Sequence, residues 1–96
     1  MLNQVVLVGR IVEEVQKEER GYKMRLAIPR SFKNAEGEYE TDFIEVQMLD
    51  NVGNSVKEYC KKGDIVGVKG RLQSSLNSLV EVVAEKVTFL SSRGNN

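Results

Sequence analysis

The segment from Lys61 to Gln73 alternates between apolar and charged residues, and this alternation constrains the fold more than any other feature. Val66, Val68 and Leu72 share one parity, and Lys69, Arg71 and Gln73 share the other. Successive side chains of an extended strand point to opposite faces, so this segment predicts a strand with one buried face and one charged face. Gly63 and the cations Lys61 and Lys62 before it form a basic turn that leads into the strand.

The remaining segments predict a small all-β domain. The segments that read as strands are 4–12, 22–28, 41–49, 63–73 and 79–90, residues 51–60 have helical spacing, and the charged residues 13–21 read as a loop. Pro29 is expected to end regular pairing of the second strand, Asn34-Ala35-Glu36-Gly37 predicts a hairpin turn, and an irregularity is expected near Glu85-Lys86.

Five short strands with a helix between the third and the fourth are typical of the OB-fold, a Greek-key barrel. We therefore predict an OB-fold domain over residues 1–90 and a disordered polar tail over residues 91–96.

The same pattern predicts which residues form the core. The first strand is apolar on both faces, which indicates burial on both sides or a contact with another subunit. Tyr22 and Phe89 keep the apolar parity of their strands and are expected in the core. The apolar stripe of the helix is expected to comprise Val52, Val56, Tyr59 and Cys60.

Composition excludes several classes of function. The 96 residues contain one cysteine and no histidine, which excludes an internal disulfide, Cys/His nucleophile pairs and the usual zinc sites. Asp42 and Glu45 have opposite parities on one strand, so they do not form an acid–base pair, and we predict no enzyme activity and no cofactor. No apolar run is long enough to span a membrane and no secretory signal is visible, so the expected location is the cytoplasm.

The net charge is zero, with 14 basic and 14 acidic residues, and this balance argues against a nucleic-acid partner. The cations nevertheless recur in two groups, one in the second strand and the residues after it and one from Lys61 to Arg71, so one face can still be basic.

Two phenylalanines are candidates for base stacking. Phe43 has the parity opposite to Ile44, Val46 and Met48 and should stand outside the barrel. If the strand of Lys69 and Arg71 is a neighbour, these cations share its face. Phe32 lies between Arg30 and Lys33, a cluster that suits single-stranded nucleic acid. The alternatives are a subunit contact or a second small core for Phe43, and a loop anchor for Phe32.

Five segments in order resemble the bacterial single-stranded DNA-binding proteins (SSB) along nearly the whole chain. They are Asn3 to Arg10, Leu26-Ala27 followed by Phe32, Thr41 to Ile44, Tyr59 to Gln73 and Glu81 to Leu90. The resemblance implies an OB-fold that assembles as a homotetramer and binds single-stranded DNA with little sequence preference in replication, repair or recombination. It also implies base stacking at Phe32 and Phe43, phosphate contacts from Lys62 and its basic neighbours, and a dimer contact through residues 3–10. The candidate cations for the phosphate path are Arg10, Arg25, Arg30, Lys33, Lys62, Lys69 and Arg71.

The chain departs from the family pattern in several places. It has no tryptophan, Leu49 stands where an aromatic is frequent, and Glu45 stands where the family has basic or polar residues. The link 74–78 is much shorter than the long hairpin of the family, and no acidic tail follows Asn96, as in a truncated or tailless relative. Two alternatives therefore stay open: a dimeric primosomal replication protein of the same fold, and an OB-fold protein-interaction module that has lost DNA binding. The chain is expected in a bacterium, a phage or a mobile element.

Overall fold

The computed structural model describes residues 1–77 and 79–92. These residues form six strands and one helix: β1 (Val5–Ile11), β2 (Gln16–Lys17), β3 (Tyr22–Lys33), β4 (Tyr39–Met48), α1 (Asp50–Tyr59), β5 (Ile65–Ser74) and β6 (Val80–Ser91). No helix within the described ranges is long and apolar enough to cross a membrane. The expected polar tail falls largely on residues 93–96, which lie outside the described residues, whereas Ser91 is the last residue of β6.

Five of the strands close into a barrel. β1 pairs antiparallel with β5 from Val5↔Gly70 to Arg10↔Ile65, and it pairs with β3 at Ile11↔Leu26 and Arg10↔Ala27. β6 then joins β5 to β4, antiparallel to β5 and parallel to β4, and β4 pairs with β3. The order β1-β5-β6-β4-β3 with closure of β3 onto β1, and with α1 between β4 and β5, is the five-stranded OB-fold that the sequence predicts. The additional β2 contributes only two residues beside β3. A strand of this length is too short to show an alternating pattern in the sequence.

The inward-facing residues of the barrel strands meet α1 in one core. Val46 and Met48 of β4 and Val66 and Val68 of β5 are buried as their parity predicts. The buried members of this core are Ile11, Val15, Tyr22, Met24, Leu26, Val46, Met48, Val56, Cys60, Val66, Val68 and Ala84. The expectation that Tyr22 and Cys60 are core residues is therefore confirmed.

Three residues expected in the core are exposed instead. Phe89 keeps the inward parity opposite Val66, but it lies beyond Val87, which still packs against the core, and its ring is half exposed. Leu72 also keeps its parity, but the pairing of β1 with β5 stops at Gly70, so no strand covers it on that side. Tyr59 is the last residue of α1, and the chain turns inward only at Cys60.

Pro29 ends the regular pairing of β3 with β4, as predicted, but it does not end the strand. β3 continues to Lys33, and the register shifts between the pairs Pro29↔Thr41 and Lys33↔Tyr39. β1 pairs with β3 only as far as Ala27, so at Pro29 one edge of β3 is free, and a free edge tolerates a residue without an N–H donor. The β3–β4 turn forms as predicted: the Asn34 side chain accepts hydrogen bonds from the N–H groups of Glu36 and Glu38, and Gly37 has φ = 79°.

The irregularity predicted near Glu85-Lys86 is a bulge in β6. Lys69 lies opposite Lys86 whereas Gly70 lies opposite Ala84, so Glu85 is the extra residue. A Cβ on Gly70 would lie 2.0 Å from the carbonyl oxygen of Val83, and only glycine fits this close approach of the two strands.

The outer side of β1 is exposed in the part of the chain that the structure describes. Val5 and Leu7 are partly buried, whereas Val6 is 70% exposed and Val8 is also exposed. The expectation that β1 is buried on both sides within one subunit is therefore wrong, because the outward-facing Val6 and Val8 remain accessible. The alternative, that this surface contacts another subunit, stays a prediction.

Candidate nucleic-acid interface

Phe43 stands on the outer surface of the barrel. Its cross-strand partner on β3 is Ala27, whose small side chain leaves the ring 56% exposed. The guanidinium carbon of Arg25, the next outward residue of β3, lies 5.7 Å from the centroid of the Phe43 ring. This distance is within the range of a cation–π interaction. The expectation that Phe43 lies outside the core is confirmed, and the second-core alternative is wrong.

A second cation–aromatic pair lies beside the β3–β4 turn. The Nζ of Lys33 is 5.7 Å from the centroid of the Tyr39 ring, which is 60% exposed. Sequence reasoning did not single out Tyr39. A signal was available, because Tyr39, Thr41 and Phe43 share one parity, and β4 begins at Tyr39. The two rings are separated by roughly 13 Å along the strand.

Phe32 lies in the irregular part of β3, between Pro29 and Lys33, and its ring is 63% exposed. This exposure is incompatible with a loop anchor packed against the barrel. The ring is instead free to meet a planar ligand.

Arg30 does not form the predicted cluster with Phe32 and Lys33. Its guanidinium pairs with the carboxylates of Glu40 and Asp42, each at 2.8 Å. The Nε of Arg30 also donates to Asp42, and these hydrogen bonds hold the pKa of the Asp42 carboxyl below its usual value. Glu40 and Asp42 of β4 therefore neutralise the charge of Arg30. The sequence shows the spacing of these two residues but not their pairing with Arg30.

Lys69 and Arg71 are not on a strand next to Phe43, contrary to expectation. β6 lies between β4 and β5, because β4 and β6 pair in parallel at Val46↔Val82 to Met48↔Ala84. Lys69 lies between Val6 of β1 and Lys86 of β6 on the opposite part of the barrel. Sequence parity assigns residues to the inside or the outside of a barrel, but it does not give the order of the strands.

Arg71 approaches the β4 surface across β6. Val83 pairs with Arg71 on one side and with Gln47 on the other, and these three residues line a groove whose rim includes Leu49. The guanidinium of Arg71 is held at 3.2 Å by both Glu85 and Gln73. The Glu85 carboxylate therefore partly neutralises the positive charge of Arg71.

The other predicted cations are dispersed. Arg10 donates from Nη1 to the carbonyl oxygen of Gly63 at 2.8 Å, which ties the end of β1 to the turn before β5. Lys62 lies exposed in the same turn, at the end of α1 rather than on the β3–β4 surface.

An acidic residue interrupts the outer surface of β4. Glu45 lies directly opposite Arg25 and two residues after Phe43. Its carboxylate is 3.7 Å from the Nζ of Lys23, and it accepts a hydrogen bond from the Gln47 amide at 3.3 Å. Lys23 in turn pairs with Glu18 at 3.2 Å, and the hydrogen bond that Lys23 donates to this carboxylate is the main cause that raises the pKa of Lys23.

These contacts define the β3–β4 surface, which comprises Arg25, Lys33, Tyr39, Phe43, Glu45 and Gln47. Each of its two exposed rings has a cation over it, and the exposed Phe32 ring lies next to Lys33 in the irregular part of β3. This arrangement is suited to stacking planar bases and neutralising phosphates. Within the described ranges no three His, Cys, Asp or Glu residues come together as metal ligands would.

Comparison with known proteins is consistent with this geometry. The model of the single-strand binding protein family matches residues 2–90. Single-stranded DNA-binding protein 2 of Staphylococcus aureus (strain COL) is 39% identical over 109 aligned residues, which span 100% of this chain and 78% of that protein.

Solved structures share the fold. The second single-stranded DNA-binding protein (SSBb) of Mycobacterium smegmatis has a TM-score of 0.70 at 26% identity, covering 93% of this chain and 89% of that one. The Plasmodium falciparum SSB in complex with ssDNA has a TM-score of 0.75 at 24% identity, covering 95% and 96% of the two chains. The barrel, the family match over nearly all of its residues and the S. aureus relative together lead to one conclusion: this chain belongs to the single-strand binding protein family.

Proposed function

We propose that this chain is a non-enzymatic protein that binds single-stranded DNA during replication, repair or recombination. The observation that carries the proposal is the Phe43 ring, which stands outside the barrel, 56% exposed, with the Arg25 guanidinium 5.7 Å from its centroid. A base can stack on such a ring while the cation neutralises a neighbouring phosphate. Membership of the family and the P. falciparum relative solved with ssDNA support the same function.

Stacking supplies most of the affinity in this proposal. Phe43 and Phe32 are the proposed platforms, and Tyr39 is a third ring on the same surface as Phe43. Each stacked base contributes about 1–3 kcal/mol, and every base has a π face, so this part of the binding carries little sequence preference. A neutral chain can therefore still bind a polyanion.

The phosphate contacts are proposed to come from cations that are not paired with carboxylates. Arg25 and Lys33 lie against rings on the β3–β4 surface, and Lys62 and Lys69 are exposed elsewhere on the barrel. Arg10 keeps its charge while it bonds a carbonyl oxygen. Arg30 and Arg71 would have to leave acidic partners before they reach a phosphate.

A titration of fluorescein-labelled oligo-dT, followed by anisotropy at low and at moderate salt, tests the proposal. We expect saturable binding that weakens as salt rises, because binding releases counterions from the phosphates, with a slope of about 0.7 per phosphate contact. The same oligonucleotide annealed to oligo-dA is the control and should bind far more weakly. Absence of binding to oligo-dT at low salt would overturn the proposal.

A protein-interaction module is the second candidate. The carboxylates of Glu40, Asp42 and Glu45 favour it, because they neutralise the cations Arg30 and Lys23. Glu45 does so on the β3–β4 surface itself, and Glu40 and Asp42 do so on the other face of β4. The oligo-dT titration separates the two candidates, since only a DNA-binding protein changes the anisotropy.

We also propose that the protein is a homo-oligomer in which residues 3–10 meet their copies. Val6 and Val8 form the exposed apolar part of this surface, and β1 pairs with β3 only at Arg10 and Ile11, so the outer face and the second edge of residues 5–9 are both available for the contact. A tetramer is the favoured assembly, and a dimer would fit the primosomal alternative. The proposed binding domain is 1–90, and the single free thiol fits a cytoplasmic location.

A further inference from the structure

Glu45 lies at the centre of the β3–β4 surface. It follows Phe43 by two residues on the same outward face of β4, and its cross-strand partner is Arg25. The guanidinium of Arg25 is at the Phe43 ring. The Glu45 carboxylate is directed to Lys23 and Gln47, so a base that stacks on Phe43 and extends along β4 towards Gln47 would meet it.

The carboxylate of Glu45 retains free acceptor capacity. Its Oε2 is 3.7 Å from the Nζ of Lys23, and its Oε1 accepts from the Gln47 amide at a long 3.3 Å, while half of the side chain is exposed. Lys23 has a closer partner in Glu18, at 3.2 Å. Two carboxylate oxygens offer about four lone-pair directions, so further donors can bind without displacing Lys23 or Gln47.

A phosphate cannot be the group that meets this carboxylate, because two anions at close range repel each other. The donor groups that single-stranded DNA offers are on the bases. Cytosine presents an exocyclic amino group, N4, which a glutamate accepts well. Thymine presents the acceptor oxygens O2 and O4 on either side of its single N3–H donor, and both repel a carboxylate.

We propose that Glu45 gives this protein a base preference, in favour of bases that carry an exocyclic amino group and against thymine. Among pyrimidines the preference is for cytosine over thymine. The inference rests on the proposed function, and it adds a hydrogen-bonding contribution to stacking that is otherwise indifferent to sequence. One net hydrogen bond corresponds to a preference of about two- to tenfold.

The test is a comparison of oligo-dC with oligo-dT of equal length, at mildly alkaline pH, where cytosine stays neutral and unpaired. Dissociation constants are measured for the native chain, for Glu45→Gln and Glu45→Ala, and for Glu58→Gln, which makes the same charge change on α1. Removal of an anion should raise both affinities in every variant, whereas loss of the hydrogen bond to cytosine opposes this rise for oligo-dC in the Glu45 variants. The readout is therefore the ratio of the dC to the dT affinity.

The native chain should bind oligo-dC about two- to tenfold more tightly than oligo-dT. In Glu45→Gln the ratio should approach one, because a carboxamide accepts from cytosine N4 and also donates to thymine O4, and Glu45→Ala should lose the preference as well. Glu58→Gln should keep the native ratio. A native ratio of one, or a ratio that Glu45→Gln and Glu45→Ala leave unchanged, overturns the inference while the proposed function stands. Failure to bind either oligonucleotide overturns the proposed function itself.

Discussion

The guanidinium of Arg25 lies 5.7 Å from the centroid of the Phe43 ring, across the β3–β4 pair and on the outside of the barrel. This contact keeps an aromatic ring and a positive charge together on a surface where neither is needed for the core. The exposed ring and the cation beside it are the basis of our proposal that this surface holds a planar, negatively charged ligand.

Replacing Phe43 by alanine should weaken oligo-dT binding by about 1–3 kcal/mol, or roughly 5- to 150-fold, because one stacking platform is lost. The thermal midpoint should change little, since the ring is outside the core. Anisotropy titrations and thermal unfolding measure the two effects. Tyr59→Ala removes an exposed ring from α1 and is the matched control. Equal losses of affinity in the two variants would contradict the role of Phe43.

Replacing Asp42 by asparagine should strengthen oligo-dT binding, because it removes one of the two carboxylates that pair with Arg30. If Arg30 then contacts one phosphate, the salt slope should steepen by about 0.7. Titrations at several salt concentrations measure the slope, and Glu58→Gln controls for the change in net charge. If the salt slope of the Asp42→Asn variant equals that of the Glu58→Gln control, Arg30 does not contact a phosphate of the bound DNA.

The pKa of Asp42 also predicts a pH dependence of this pair. The hydrogen bonds from Arg30 lower the pKa in the folded chain, so the carboxylate stays charged into the acid range. The pair is therefore fully formed at neutral pH and is lost only as pH falls through that lowered pKa. An NMR titration of the Asp42 carboxyl should give a midpoint below the ordinary value of an aspartate carboxyl.

Replacing Val6 by glutamate should dissociate the proposed oligomer, because it buries a charge in an apolar contact. Sedimentation velocity should show a smaller species than the native chain. Val80→Glu is the control, since Val80 has the same 70% exposure as Val6 but lies at the start of β6. A native chain that is already monomeric, or a Val6→Glu variant of unchanged mass, would contradict the β1 contact.

Replacing Gly53 by alanine should destabilise the protein, although alanine favours a helix by about 1 kcal/mol over glycine. A Cβ at Gly53 would lie 2.2 Å from Cδ1 of the buried Tyr22 ring, and Tyr22 cannot move freely because its hydroxyl hydrogen-bonds the Asn54 side chain. Such overpacking costs about 1–3 kcal/mol. Urea unfolding at fixed protein concentration measures the loss. Ser55→Ala, an exposed change in the same helix, should have little effect, and a stabilised Gly53→Ala would refute the clash.

The Cys60 thiol should react slowly with iodoacetamide in the folded protein. Burial raises its pKa and the nearby Asp64 adds to the shift, so less thiolate is present than in the unfolded chain. The unfolded chain ionises first as pH rises, so stability should fall above the ordinary thiol pKa. Mass spectrometry of alkylation in buffer and in urea measures the reactivity. Equal rates in the two conditions would show that Cys60 is not protected.

The sequence alone was sufficient to predict the barrel and to predict which residues of each strand point into the core. Alternation is a local property, so Val46, Met48, Val66 and Val68 could be assigned to the core and Phe43 to the surface from parity alone. The asparagine–glycine turn and the Glu85 bulge were predictable for the same reason, because their conformations depend on neighbouring residues.

The order of the strands in the barrel and the pairing of charged side chains became known from the tertiary structure. The parallel pairing of β4 with β6 separates Lys69 from Phe43. Arg30 pairs with Glu40 and Asp42, so it is not among the cations that lack a carboxylate partner. Phe89 and Leu72 are also exposed in the tertiary structure. A side chain with inward parity is buried only where another strand or the helix covers it. Strand order and ion pairing depend on how distant segments pack, and no local pattern encodes that packing.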